Sequence, residues 1–172
     1  MIGFNWIGPE VDTVGTKSIT VNGAFLQEIK EDNQHLTELL AATADVLRQQ
    51  PRGRIRATVL ADLLRRTHDQ LAMHFSLEEG LGYFEDAIDV PPRLSAQADI
   101  LRSQHTSLFN ELHDIVEDAE RMLYHELSQS KETMIDRIAL AYTSFYERFQ
   151  THEVGERELI CQSLYEEIGG GD

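Results

Sequence analysis

The segment HFSLE, residues 74–78, and its counterpart HEVGE, residues 152–156, decide how this 172-residue chain is interpreted. Each segment places a glutamate four residues after a histidine, as His74 with Glu78 and His152 with Glu156. Residues four apart lie one turn apart on the same face of an α-helix, so each pair directs an imidazole and a carboxylate toward one point. The two segments therefore predict helices that carry metal-ligand pairs.

Long amphipathic stretches surround these segments. The sequence predicts helices over residues 24–49, 55–87, 94–127 and 131–168, with breaks at Pro51–Gly53, Pro91–Pro92 and Ser128–Ser130. Three short connections between long helices favour an all-α, antiparallel up-down-up-down four-helix bundle. Residues 1–23 are rich in glycine and are expected to form an extended N-terminal arm, held to the bundle by Phe4 and Trp6. Residues 169–172 are expected to form a flexible C-terminal tail.

Helical periodicity indicates which histidines face the bundle interior. At about 100° per residue, His74, His105 and His152 fall on apolar stripes, and His35 lies at the edge of one. A single inward histidine is more often a core imidazole that is hydrogen-bonded to a neighbour. Six buried polar groups without partners would each cost a few kcal/mol, and a metal pair would satisfy them all. The predicted metal ligands are His35, His74, Glu78, His105, His152 and Glu156, whereas His68, His113 and His125 fall off the stripes and are expected at the surface or rim.

The composition limits the classes of partner. The net charge of −15 argues against nucleic acid and against anionic membrane surfaces. No apolar run approaches the roughly 20 residues that cross a bilayer, so we expect a cytoplasmic protein. The single cysteine, Cys161, excludes an internal disulfide and is expected to be a buried, inert thiol.

At these residues the chain resembles the hemerythrin-like (HHE cation-binding) family over about residues 24–168. The matching segments are EDNQHL at 31–36, HFSLEE at 74–79, His105 with Leu108 and Leu112, and HEVGE at 152–156. Ferritin-like di-iron proteins, the structural rival, use Glu-x-x-His pairs. No such pair occurs in this sequence.

The chain departs from the oxygen-carrying branch of the family at two positions. Phe109 stands where that branch has a second histidine, and Arg157 stands where it has an aspartate. The predicted ligand set of four histidines and two glutamates is similar to the metal ligands of hemerythrin-like iron–sulfur cluster repair proteins. It is also similar to those of an iron-sensing domain in an F-box ubiquitin-ligase subunit. This similarity implies that Glu78 and Glu156 bridge two irons. We expect Phe109 as a possible pocket-lining residue and Glu153 as a possible extra ligand.

The resemblance implies two iron ions (Fe2+/Fe3+, oxo- or hydroxo-bridged when oxidised) as the cofactor, with zinc or manganese as alternatives. The expected partner is a small diatomic ligand or peroxide. Three classes of function stay open: a binding or sensing protein for dioxygen, nitric oxide or iron; a di-iron protein that reduces oxygen or peroxide, or handles iron for repair; and a bundle with a purely structural metal.

Overall fold

The computed structural model describes the backbone of residues 23–49, 51–80, 92–124 and 128–169, and their side chains except those of 23–31, 128–130 and 163–169. These residues form four helices: α1 (Gly23–Arg48), α2 (Ala57–Gly80), α3 (Pro92–Leu123) and α4 (Ser128–Gly169). The described residues contain no strand, so the all-α bundle is confirmed. Most of the predicted arm, with Phe4 and Trp6, lies outside the described residues, as do residues 170–172 of the tail and His125.

Three helices begin two or three residues away from their predicted starts, and α3 ends at Leu123 and not at residue 127. A 3-10 turn at Arg52–Arg54 precedes α2, so this helix begins at Ala57 and not at residue 55. Pro92 is the first residue of α3, where its fixed φ suits a helix and its missing N–H would have had no partner. Ser128–Ser130, the predicted break, is the first turn of α4. Serine is favoured at helix N-termini, so the break was placed a few residues late.

The side-chain contacts show that neighbouring helices run antiparallel. Thr43 in the middle of α1 contacts Thr67 of α2. Asp32, earlier in α1, contacts His74, which lies later in α2. The same reversal holds for α2 with α3 (His68 with His113, Glu79 with His105) and for α3 with α4 (Asp118 with Arg137, Gln104 with His152). Since α1 also packs against α4, the four helices close into an up-down-up-down bundle.

The apolar core is divided into two clusters. The larger one contains buried leucine, isoleucine and aromatic side chains from all four helices, including Leu40, Leu64, Leu112 and Phe145. The smaller one contains Leu94, Ala98, Leu101 and Leu159. Along α3 and α4, buried His105, His152 and Glu156 lie between these two clusters. The bundle therefore encloses a polar layer that is covered by apolar side chains above and below.

No helix among the described residues has an apolar stretch long enough to cross a bilayer.

Candidate metal centre

Helix α2 supplies one imidazole and one carboxylate to the polar layer. His74 is 3% exposed, and its Nε2 lies 3.1 Å from Oε1 of Glu78, one turn later on the same helix. The other oxygen of Glu78, Oε2, lies 3.6 Å from Nε2 of His105 on α3. Glu78 therefore stands between two histidines from different helices.

Helix α3 supplies His105, whose ring is fixed from three sides. Phe75 stacks on it with a centroid distance of 4.1 Å and an interplanar angle of 6°. The Nδ1 atom lies 2.9 Å from Oε1 of Glu79, and the Nε2 atom lies 3.3 Å from Oε1 of Glu156. These contacts direct Nε2 into the polar layer and Nδ1 away from it.

Helix α4 supplies the third imidazole and two carboxylates. His152 is buried, and its Nε2 lies 3.2 Å from Oε1 of Glu156. Glu153, which was predicted only as a possible extra ligand, places Oε1 3.0 Å from Nε2 of His74. Gly155 lies close to α3: a Cβ there would lie 2.9 Å from Cδ2 of Leu101, so the end of that side chain would have to shift.

Helix α1 does not contribute the residue that was predicted. His35 is exposed, so the expectation that it points into the bundle is wrong. Asp32 takes the inward position: it is 8% exposed, and its Oδ2 lies 2.9 Å from Nδ1 of His74. The physical reason is angular, because Asp32 shares a stripe with buried Leu36 and Leu39, whereas His35 lies at its edge.

The donors fall into two groups that could each hold a metal ion. Glu78, His105, His152 and Glu156 form one group, and His74, Glu78 and Glu153 form the other. Within each group the ligand atoms lie within 4.8 Å of one another. Glu78 belongs to both groups, so the geometry is that of two adjacent cation positions with a shared carboxylate.

The hydrogen bonds of the histidines fix which ring nitrogen faces the centre. The Nδ1 atoms of His74 and His105 contact carboxylates, which only accept hydrogen bonds, and Nδ1 of His152 lies 3.1 Å from Oε1 of Gln104. Each Nδ1 therefore carries the proton and donates it. In all three rings the Nε2 atom faces carboxylate oxygens, and in a neutral ring this atom would carry the free lone pair.

Two buried atoms of the centre have no hydrogen-bond partner among the described residues. They are Oε2 of Glu78, which lies 3.6 Å from Nε2 of His105, and Nε2 of His152, whose 3.2 Å contact with Glu156 lacks hydrogen-bond geometry. Buried polar atoms without partners are rare and costly, and a metal ion is one accepted explanation for them. The donor set therefore fits a metal ion at this position.

Without a metal, protons balance the charges of the centre. Burial lowers the pKa of His74, but hydrogen bonds and charges from Glu153 and Glu78 outweigh it and raise the pKa to about 11. Burial raises the pKa of Glu156, but His105 and His152 lower it to about 2. Burial and the neighbouring carboxylates raise the pKa of Glu78. The centre therefore attracts positive charge strongly, whether as protons or as metal ions.

A cavity opens onto one side of the centre. Its volume is about 100 Å³, and its walls include His74, Glu78, Glu153 and Glu156. Leu77, Leu159 and Ile160 add apolar surface, and Asp32, Asn33 and Arg157 complete the lining. A small molecule could therefore reach the His74 group from solvent.

The remaining predicted residues lie away from this cavity. Phe109 packs on His68 with a centroid distance of 4.2 Å, and it borders a separate, more open groove that reaches His105. His113 is exposed and His68 is half-buried, so both lie outside the centre. Cys161 is exposed, so the expectation of a buried thiol is wrong. It lies on α4 beyond Leu159, where the helix surface faces solvent.

Three residues at the centre were not predicted by the sequence reasoning. Asp32, Glu79 and Gln104 hold the Nδ1 atoms of the three histidines. Only Asp32 could have been found from the sequence, because it is a charged residue on the apolar stripe of α1. Glu79 and Gln104 each neighbour a ligand in sequence, but the packing of a second helix determines their partners.

Comparison with models of protein families, with curated proteins and with solved structures finds no match to this chain.

Proposed function

We propose that this chain is a hemerythrin-like protein that holds two metal ions, iron first among them, and that it binds or reacts with a small ligand such as dioxygen, nitric oxide or peroxide. One observation carries the proposal. Three imidazole Nε2 atoms from three helices converge on three carboxylates. Positive charge is needed between these donors, as protons or as metal ions, and the buried atoms without a hydrogen bond, Nε2 of His152 and Oε2 of Glu78, favour metal ions.

The charge at the centre supports two cations. Three negative charges come from Glu78, Glu153 and Glu156. Asp32, which is hydrogen-bonded to the outer nitrogen of His74, adds a fourth. Two divalent cations offset these four charges, whereas a buried carboxylate cluster without cations is strongly destabilising. The carboxylate that both groups share, Glu78, would bridge the two cations.

The chemistry of the donors favours iron. Imidazole nitrogens and carboxylate oxygens are borderline-to-hard ligands that suit Fe(II) and Fe(III), and also manganese or zinc. No thiolate belongs to either donor group. An iron pair, when bound, supplies redox chemistry toward dioxygen, peroxide or nitric oxide.

The surrounding residues orient the ligands and control access. Asp32, Glu79 and Gln104 hold each histidine in the Nδ1–H form, which leaves Nε2 free to bind. Leu77 and Leu159 in the cavity wall restrict the number of waters that reach the His74 group. The His74 group contains three donors, so a metal ion held there would keep positions for an external ligand if its coordination were octahedral.

Metal analysis of the purified protein, with an optical spectrum, tests the proposal directly. We expect two metal ions per chain and near-ultraviolet charge-transfer bands from iron. One zinc per chain without iron would favour a structural site instead. A chain that takes up no metal after incubation with Fe(II), Mn(II) or Zn(II) would refute the proposal.

Variants test whether the named residues hold the metals. The double variant His74→Leu, His152→Leu is expected to lose both metals, and circular dichroism would verify that it remains helical. Glu153→Ala is expected to retain one metal, because Glu153 belongs only to the His74 group. His113→Ala is the matched control, since that histidine is exposed and lies outside both groups. A double variant that keeps its full metal load would contradict the proposal.

A further inference from the structure

A third pair of histidine and glutamate lies on α3, away from the metal centre. Glu117 follows His113 by four residues, which is the spacing of the two pairs that belong to the centre. Oε1 of Glu117 lies 3.5 Å from Nε2 of His113, while Oε2 accepts a hydrogen bond from the guanidinium of Arg121. The contact with Arg121 holds the carboxylate with its other oxygen toward the imidazole. This pair therefore presents one nitrogen and one oxygen together at the surface of α3.

Helix α2 places a second imidazole next to this pair. The ring centroids of His68 and His113 lie 5.4 Å apart, with an angle of 44° between the ring planes. Phe109 packs on the ring of His68 at a centroid distance of 4.2 Å. The two imidazoles are thus neighbours across the contact between α2 and α3, and the aromatic ring of Phe109 fixes the position of one of them.

One nitrogen of His68 is buried without a partner. Its Nε2 atom forms no hydrogen bond with the described residues. Its Nδ1 atom lies 3.9 Å from Oδ1 of Asp69, which is too far for a hydrogen bond. Burial, and after it the charge of His113, lowers the pKa of His68, so the ring is mostly neutral at pH 7. A buried polar atom without a partner calls for an explanation, and a bound ion is one of the few available.

We propose that His68, His113 and Glu117 form a separate metal site at the surface of the bundle, and that this surface site takes Zn(II) or a similar late divalent ion. Two imidazole nitrogens and one carboxylate oxygen, with a water as the fourth ligand, match the four-coordinate geometry that zinc prefers. Late divalent ions also bind imidazole nitrogen more strongly than the earlier ones do. No residue is common to the surface site and the metal centre, so the two can be tested independently.

The donors of the surface site are less closely gathered than those of the metal centre. The side chains of His113 and Glu117 are 51% and 47% exposed, whereas that of His68 is 16% exposed. The two exposed side chains can turn toward an ion that the buried ring of His68 anchors, but they lose rotamer freedom when they do so. We therefore expect zinc to bind more weakly at the surface site than at the metal centre, and to leave it first on dialysis.

Equilibrium dialysis against Zn(II) counts the ions that each variant of the full chain holds. His113→Ala and His68→Gln are each expected to hold one zinc fewer per chain than the wild type, because each removes one of the two imidazoles. His35→Ala is the matched control, since it removes an exposed histidine from another helix, and it is expected to hold as much zinc as the wild type. Circular dichroism verifies that all three variants remain helical.

Cobalt gives a second, spectroscopic measurement. Four-coordinate Co(II) absorbs visible light much more intensely than six-coordinate Co(II), so its spectrum reports the geometry of the ion. The wild-type spectrum minus that of His113→Ala is expected to contain the intense bands of a four-coordinate ion. A difference spectrum without such bands would contradict the proposed geometry of the surface site.

The difference between variants separates the surface site from the metal centre. If both exist, the expected zinc counts are three in the wild type and two in His113→Ala. If only the surface site exists, they are one and zero. Equal counts in the wild type, His113→Ala and His68→Gln would overturn the surface site and leave the metal centre untouched. A loss in His35→Ala as large as that in His113→Ala would overturn it too, since any exposed histidine would then serve.

Discussion

Replacement of Asp32 by alanine should weaken metal binding although Asp32 belongs to neither donor group. Its Oδ2 accepts a hydrogen bond from Nδ1 of His74 at 2.9 Å, and its Oδ1 accepts one from Nε2 of Gln70 at 2.5 Å. These two bonds hold the buried His74 ring with Nε2 toward Glu78 and Glu153. Without Asp32 the ring can rotate or change its tautomer, so that Nε2 no longer presents a lone pair to the centre.

The expected magnitude follows from the role of this contact. Loss of a residue that orients a ligating histidine typically lowers metal affinity about 10- to 100-fold, or about 1.4 to 2.7 kcal/mol. Asp32→Asn should lose less, because an amide oxygen still accepts from Nδ1 of His74. The NH2 group of the new asparagine would then face the NH2 group of Gln70, and two donors cannot bond to each other. The side-chain amide of Gln70 has to flip so that its oxygen accepts the second hydrogen bond.

The assay is competition for the metal against a chromophoric chelator, with circular dichroism as a check on helix content. His35→Ala is the matched control, because His35 lies on the same helix, one turn after Asp32, and is exposed. We expect it to bind metal as the wild type does. Equal affinity in Asp32→Ala and wild type would refute the reasoning, as would a loss in His35→Ala as large as in Asp32→Ala.

Two further predictions concern stability. In the metal-free protein the pKa of His74 is raised to about 11, so its contribution to stability is complete below its unfolded pKa of about 6.5 and is lost as the pH rises toward 11. The pKa of Glu156 is lowered to about 2, so its contribution is present above about pH 4.5 and is lost as the pH falls toward 2. Urea denaturation of metal-free protein should show both losses: a stability that is flat from about pH 7 to about pH 10 would contradict the first, and one that is flat from about pH 5 to about pH 2 would contradict the second. Leu112→Ala, at a fully buried position of the larger apolar cluster, should cost about 2–5 kcal/mol in urea denaturation, whereas Leu140→Ala, 75% exposed, should change stability by less than about 0.5 kcal/mol. Similar values for these two leucine variants would show that the packing of the core is not as described.

The pairing of histidine with glutamate could be predicted from the sequence wherever both residues lie on one helix. His74 with Glu78 and His152 with Glu156 follow from four-residue spacing alone, because a helix fixes the relative direction of such residues. The inward orientation of His105 could be predicted from its place on an apolar stripe. These three positions are brought together in the structure as predicted.

The prediction that His35 faces the bundle interior was wrong because the apolar stripe of α1 does not clearly include it. His35 lies at the edge of its stripe, and a rotation of α1 by a fraction of a turn decides whether it or Asp32 faces inward. The packing of α1 against α2 and α4 sets that rotation. Packing buries the leucines of the stripe. Asp32 lies on the same stripe and is therefore buried with them, whereas His35 is exposed to solvent.

The sequence by itself determined the four helices, their antiparallel order and the pairing of histidine with glutamate inside α2 and α4, because these depend on spacing within a helix and on short connections. Only the tertiary structure decided which residues hold the Nδ1 atoms, that Glu153 joins the His74 group, and that Arg157 borders the same cavity. Those relations join side chains of different helices. They depend on the rotation and depth of each helix in the bundle, which the packing of all four helices fixes together.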